Sequence, residues 1–187
     1  MEFKKIQLNG FKSFAEKTNF LIEDGLTGIV GPNGCGKSNI VESLRWVMGE
    51  TSAKSMRGSG MEDVIFSGTS NKASKNIAEV SISVANQNNE GPVQFRELDE
   101  VNVRRKIEKD KGSKFYINDK EVRARDAQMF FADLSTGAHS PSMISQGRIG
   151  ALVTAKPTDR RAILEEAAGI SGLHVRRHEA ELRLSAA

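Results

Sequence analysis

Between Gly31 and Ser38 the chain reads Gly-Pro-Asn-Gly-Cys-Gly-Lys-Ser, and this loop sits between an apolar β-branched run and a helical pattern. The run Leu26-Thr27-Gly28-Ile29-Val30 follows the turn signal Asp24-Gly25 and is expected to form a short buried strand. From Lys37 to about Met48, the residues Ile40, Leu44, Val47 and Met48 recur on one helical face, and Gly49 supplies the stop. Few folds accommodate strand, glycine loop and helix in that order. Glycine backbones let successive N–H groups face one concavity, and the helix N-terminus adds positive potential there, so the loop is suited to phosphate oxygens. Lys37 is placed to meet β and γ phosphates, and the Ser38 hydroxyl to ligate Mg²⁺, a hard cation that prefers oxygen. The pattern therefore predicts ATP with Mg²⁺ on Gly31, Pro32, Asn33, Gly34, Cys35, Gly36, Lys37 and Ser38, with Asn39 adding an α-phosphate contact. Cys35 is read as a small buried side chain without chemistry of its own.

Alternation predicts a strand over Phe3 to Leu8 and a second around Phe20 and Leu21. Residues 51–75 read as loop, a short buried element at Val64-Ile65-Phe66, and loop. Further strands are expected at Ile77 to Val84, Val93 to Phe95, Val101 to Ile107, Lys114 to Ile117 and Glu121 to Val122, the last two about the turn Asn118-Asp119. Helices are expected over Ala124 to Leu134 and from a Thr158 cap to Ala168, with a short strand at Met143 to Ser145 between them. The pattern is that of an α/β domain with mixed and antiparallel sheets.

A formal charge of +3 in 187 residues is too mild to imply nucleic-acid binding without specific residues. Residues 96–125 hold ten Lys/Arg against seven Asp/Glu, which by itself reads as a solvated face. The lone Cys35 cannot form an internal disulfide, and no stretch approaches the ~18 apolar residues of a membrane span. A cytoplasmic compartment and no membrane partner are expected.

The segments Asn9 to Phe14, Gly31 to Asn39, Ala53 to Gly58 (Ala-Lys-Ser-Met-Arg-Gly) and Met61 to Phe66 (Met-Glu-Asp-Val-Ile-Phe) closely resemble the start of bacterial structural-maintenance-of-chromosomes (SMC) proteins. Ile144 to Arg148 (Ile-Ser-Gln-Gly-Arg) and Arg160 through Gly169 extend the resemblance in the same order. The resemblance implies a P-loop NTPase of the ABC-ATPase head type, N-terminal half, at residues 1–170, with residues 171–187 beginning a coiled-coil arm. It also implies a split site, because neither a Leu-Ser-Gly-Gly signature nor an apolar strand ending in Asp-Glu occurs in the chain.

Residue by residue, the resemblance makes Gln146 the Gln-loop residue, catalytic with Lys37 and sharing Mg²⁺ with Ser38. It makes Arg57 a phosphate-facing arginine, and it places Lys12 and Ser13 beside the adenine and ribose. Arg123 and Arg125 become contacts to the backbone of double-stranded DNA, where charge and reach suffice. Gly60 stands where many members carry Lys, so that DNA contact does not carry over. The implied partners are a C-terminal SMC head half, a second head in a homodimer and a kleisin-type subunit, and the implied setting is the bacterial nucleoid. Two other readings remain open: a nonhydrolytic, nucleotide-dependent DNA-tethering module, and a repair ATPase of the RecN kind, which also has a split head and coiled coil.

Overall fold

The computed structural model describes residues 2–86, 92–134, 154–158, 160, 161, 177, 181, 184 and 185. Six strands are seen among them: β1 (Glu2–Asn9), β2 (Thr18–Leu21), β3 (Ile77–Ala85), β4 (Glu100–Glu108), β5 (Gly112–Ile117) and β6 (Lys120–Val122). They form one sheet in the order β2-β1-β3-β4-β5-β6. Every pairing is antiparallel. Helix α1 (Lys37–Val47) packs on β3 and β4, and α2 (Ala124–Asp133) on β5.

Alternation decides which face of the sheet is covered. Ile6, Ile82, Val103 and Ile117 lie in register across four strands, and all four are buried. The next core row runs Leu8, Val80, Arg105, Phe115, so an arginine occupies a position where the pattern calls for an apolar side chain. The opposite face carries Gln7, Ser81, Arg104 and Tyr116 in one row.

Two aromatic groups close the covered side. Phe11 meets Trp46 of α1 with ring centroids 5.4 Å apart, and Phe130 of α2 meets Phe95 edge-on at 5.5 Å. Each fully buried ring of this kind contributes roughly 2–3 kcal/mol by burial. The β5–β6 turn has Asn118 and Asp119 at φ 47° and 62°, the left-handed pair that a tight hairpin requires.

Two expected strands are absent. Leu26 to Val30 forms none, and Leu26 and Val30 are 100% and 94% exposed. A β-branched run becomes a strand only where another strand accepts its backbone groups, and none of the described strands lies beside it. Of the mixed and antiparallel sheets expected, the antiparallel one is seen among the described residues. Val93–Phe95 is a 3₁₀ turn rather than a strand. The buried Asn86 side chain explains it by donating to the carbonyls of Phe95, Arg96 and Leu98 at 2.9–3.2 Å, which curls the segment. The expected buried element at 64–66 begins on the last residue of a 3₁₀ turn (Met61–Val64), with all three residues buried. Pro157 and Thr158 are both helical, so that helix starts ahead of the expected cap. The strand expected at Met143 to Ser145 lies outside the described residues.

Candidate nucleotide site

The phosphate loop ends in Gly36, the N-cap of α1, at φ +96°. Both backbone and space demand glycine there, because a Cβ would lie 2.4 Å from Ser13 Oγ. Ser13 arrives through a tight turn in which Phe11 and Phe14 exchange backbone hydrogen bonds at 3.0 and 2.8 Å. Its hydroxyl accepts from Asn39 Nδ2 at 2.9 Å. The segment after β1 and the first turn of α1 are thus one unit, which brings Ser13, Gly36 and Asn39 together.

Lys37 folds back across the loop, its ammonium donating to the carbonyls of Gly31 at 2.5 Å and Pro32 at 2.6 Å. Cys35 Sγ is 3.8 Å from the same nitrogen. Cys35 is exposed, which corrects the expectation of a buried side chain: the whole stretch 31–35 lies on the surface beside the unpaired 26–30 run. Asn39 N–H donates to the Gly36 carbonyl at 2.9 Å, and the N-terminal end of α1 ahead of it, with the Lys37 ammonium, gives the loop mouth positive character. The arrangement suits an anion.

Lys12 points elsewhere. Its ammonium donates to Glu42 Oε2 on α1 and to the Met56 carbonyl. Glu42 is buried, and Arg57 Nη2 lies 2.5 Å from its other oxygen, as an ion pair without hydrogen-bond alignment. One carboxylate therefore gathers two cations that the sequence left unconnected. Nothing in the spacing signals it, since Lys12 and Arg57 lie far from Glu42 along the chain. Arg57 is left-handed at φ 54° and closes a 3₁₀ turn (Lys54–Met56), with its side chain 65% exposed.

The turn after Arg57 is pinned by Asp63, whose Oδ2 accepts from Gly60 N at 3.0 Å, Ser59 Oγ at 2.8 Å and Ser59 N at 2.7 Å. The Gly60 N–H and then the Ser59 hydroxyl and N–H hold its carboxyl below the usual range.

Arg105 is the buried cation of the core row. Its Nη1 donates to the carbonyls of Trp46 and Glu50 at 2.7 Å each, and its Nε to Ser113 Oγ at 2.7 Å. The guanidinium sits 4.5 Å from the Trp46 ring and 4.7 Å from that of Phe115. Burial pulls its pKa down to about 10, partly offset by the charge of Glu50. Arg123 and Arg125 are exposed at the start of α2, where Arg123 N–H donates to Asp126 Oδ2 at 3.1 Å. Gln146 lies outside the described residues.

A glycine loop feeding a helix that packs on an antiparallel sheet defines the N-terminal half of an ABC-type P-loop head. The family model described as RecF/RecN/SMC N terminal domain matches residues 2–148. Chromosome partition protein Smc of Cereibacter sphaeroides is 57% identical over 186 residues, which is 100% of this chain and 16% of that protein. The Smc head domain with an extended coiled coil bound to the C-terminal domain of ScpA, from Pyrococcus furiosus, has a TM-score of 0.83 and 30% identity, covering 98% of this chain and 46% of that one. A chain from work described as "Structural biochemistry of ATP-driven dimerization and DNA stimulated activation of SMC ATPases" has a TM-score of 0.76 and 32% identity, covering 89% of this chain and 99% of that one. The chain belongs to the RecF/RecN/SMC N-terminal domain family, as an SMC head part. It spans 16% of the length of the first curated relatives it matches.

Proposed function

We propose that this chain is the ATP-binding N-terminal half of the head of an SMC chromosome-partitioning ATPase, with ATP and Mg²⁺ held at Gly31 to Asn39. The observation that carries the reading is the Gly36 cap, left-handed and closed to any side chain, with the Lys37 ammonium over the loop ahead of it. N–H groups at the start of α1 would donate to phosphate oxygens of a bound nucleotide, and the Lys37 ammonium would turn from its two carbonyls to the β and γ phosphates. No group of three or more His, Cys, Asp or Glu side chains suited to a metal occurs among the described residues. Ser38 and Gln146 would hold Mg²⁺ together with the nucleotide's own oxygens, and the ion would offset charge on the transferred phosphoryl group.

Ser13 borders the nucleotide through its place against Gly36. Lys12, with its ammonium engaged by Glu42, borders it through its main chain. Arg57 leaves Glu42 to reach phosphate when two heads engage. Hydrolysis needs the signature and the acidic pair, which the C-terminal head half and a second head supply. The exposed run at 26–30 is where strands of that C-terminal half dock.

Residues 1–170 form the head half and 171–187 open the coiled-coil arm. Arg123 and Arg125 contact the DNA backbone, and a kleisin subunit joins the assembly, as ScpA does with the heads it is described bound to. The intact protein organises and segregates chromosomal DNA in the cytoplasm, at the nucleoid. Mixing this chain with a C-terminal head half tests the proposal. ATP turnover should appear only in the mixture and vanish with Lys37→Ile, whereas robust turnover by this chain alone refutes the split site.

A further inference from the structure

Arg105 occupies a core row between Val80 and Phe115, where a charge is costly unless its donors have fixed work. Two of its hydrogen bonds go to one place, the carbonyl of Trp46 in the last turn of α1 and that of Glu50 just past the helix end. The Trp46 carbonyl lies in the last turn of α1 and carries the negative end of the helix dipole, so a buried cation there is well matched. The same helix begins at the phosphate loop, about 16 Å away for eleven residues. Ser113 on β5 holds the Nε side, and the rings of Trp46 and Phe115 hold the guanidinium plane, so Arg105 is fixed to the sheet while it grips the helix. Gln128 of α2 adds a bond to the Gly49 carbonyl at 2.9 Å.

We propose that Arg105 is a positioning residue for the nucleotide site: by anchoring the far end of α1 to the sheet, it sets where the near end presents the phosphate loop. The inference rests on the nucleotide reading above. Helix α1 is a stiff element, so a loosened C-terminal end lets the whole helix slide or tilt, and the first-turn N–H groups move with it. Lysine at 105 keeps the charge but loses the Nε bond to Ser113 and the planar stack on Trp46 and Phe115, whereas methionine keeps the volume and bonds neither carbonyl.

The test uses the full-length protein with Arg105→Lys and Arg105→Met. ATP affinity is measured with a fluorescent ATP analogue, and amide hydrogen exchange is measured without nucleotide. The expected result is ATP binding weakened about threefold by Arg105→Lys and tenfold or more by Arg105→Met, with faster exchange in residues 31–38 as well as 44–50. Unchanged affinity in Arg105→Lys, or faster exchange confined to 44–50, overturns the proposal, and the lysine variant decides the matter if the methionine variant does not fold. Wild-type protein that binds no ATP overturns the nucleotide reading and this inference together, an outcome distinct from normal wild-type binding with an indifferent Arg105→Lys.

Discussion

Replacing Gly36 by alanine puts a number on the demand for glycine at the loop's end, and a second substitution separates its two causes. At φ +96° an L-residue is strained, at a cost of about 1–2 kcal/mol. The new Cβ also lies 2.4 Å from Ser13 Oγ, so the hydroxyl must move and its 2.9 Å bond from Asn39 is lost, about 1 kcal/mol more. The sum, about 2–3 kcal/mol, corresponds to roughly 30- to 150-fold in an equilibrium constant. In a Ser13→Ala background the clash is gone, because Ser13 Cβ is 3.5 Å from the added atom, and only the backbone strain remains. Denaturation midpoints and ATP affinity of the four proteins in the cycle provide the assay. The expected result is that Gly36→Ala costs about 1 kcal/mol less when residue 13 is alanine. An equal cost in both backgrounds refutes the assigned contact between Ser13 and the loop.

Asp63→Asn is expected to lower stability at neutral pH. Because the folded-state pKa of Asp63 lies below its ordinary value of 3.8, the stabilisation is present above that value and fades as pH falls through the lowered one. The gap in denaturation midpoint between wild type and variant should therefore shrink toward acid, and a constant gap from pH 7 to pH 3 contradicts the assignment. Glu42→Gln leaves Lys12 and Arg57 without their shared anion and should cost about 2 kcal/mol in urea denaturation, less than a fully buried pair because Arg57 is largely exposed. An unchanged midpoint rejects that role for Glu42.

Alternation and glycine placement made β1, β3 to β6 and both helices legible, because each of these elements carries its own periodicity and stop signals. The run Leu26 to Val30 has the same composition but no paired neighbour, and composition cannot supply one. Val93 to Phe95 is too short for periodicity to separate strand from 3₁₀ turn, and Asn86 settled it from outside the segment. In the site, the resemblance set Ser13 beside the adenine and ribose, whereas its contact with Gly36 and Asn39 came only from the fold. Glu42 and Arg105 were not readable, since a charged residue's burial depends on partners distant in the chain. Arg105 had counted as one of the ten cations of a solvated face, and the fold turned it inward because β4 alternation leaves position 105 no other side.

Trp46 is the chain's single tryptophan, wholly buried on the last turn of α1 between the Arg105 guanidinium and the Phe11 ring. Its indole N–H has no acceptor among the described residues, so its emission is set by that cation and by the shelter from water. The segment thereby carries its own optical gauge. Any ligand that shifts the phosphate-loop helix against the sheet changes the 4.5 Å spacing between guanidinium and indole. Such a shift registers as a change of colour or brightness without a label.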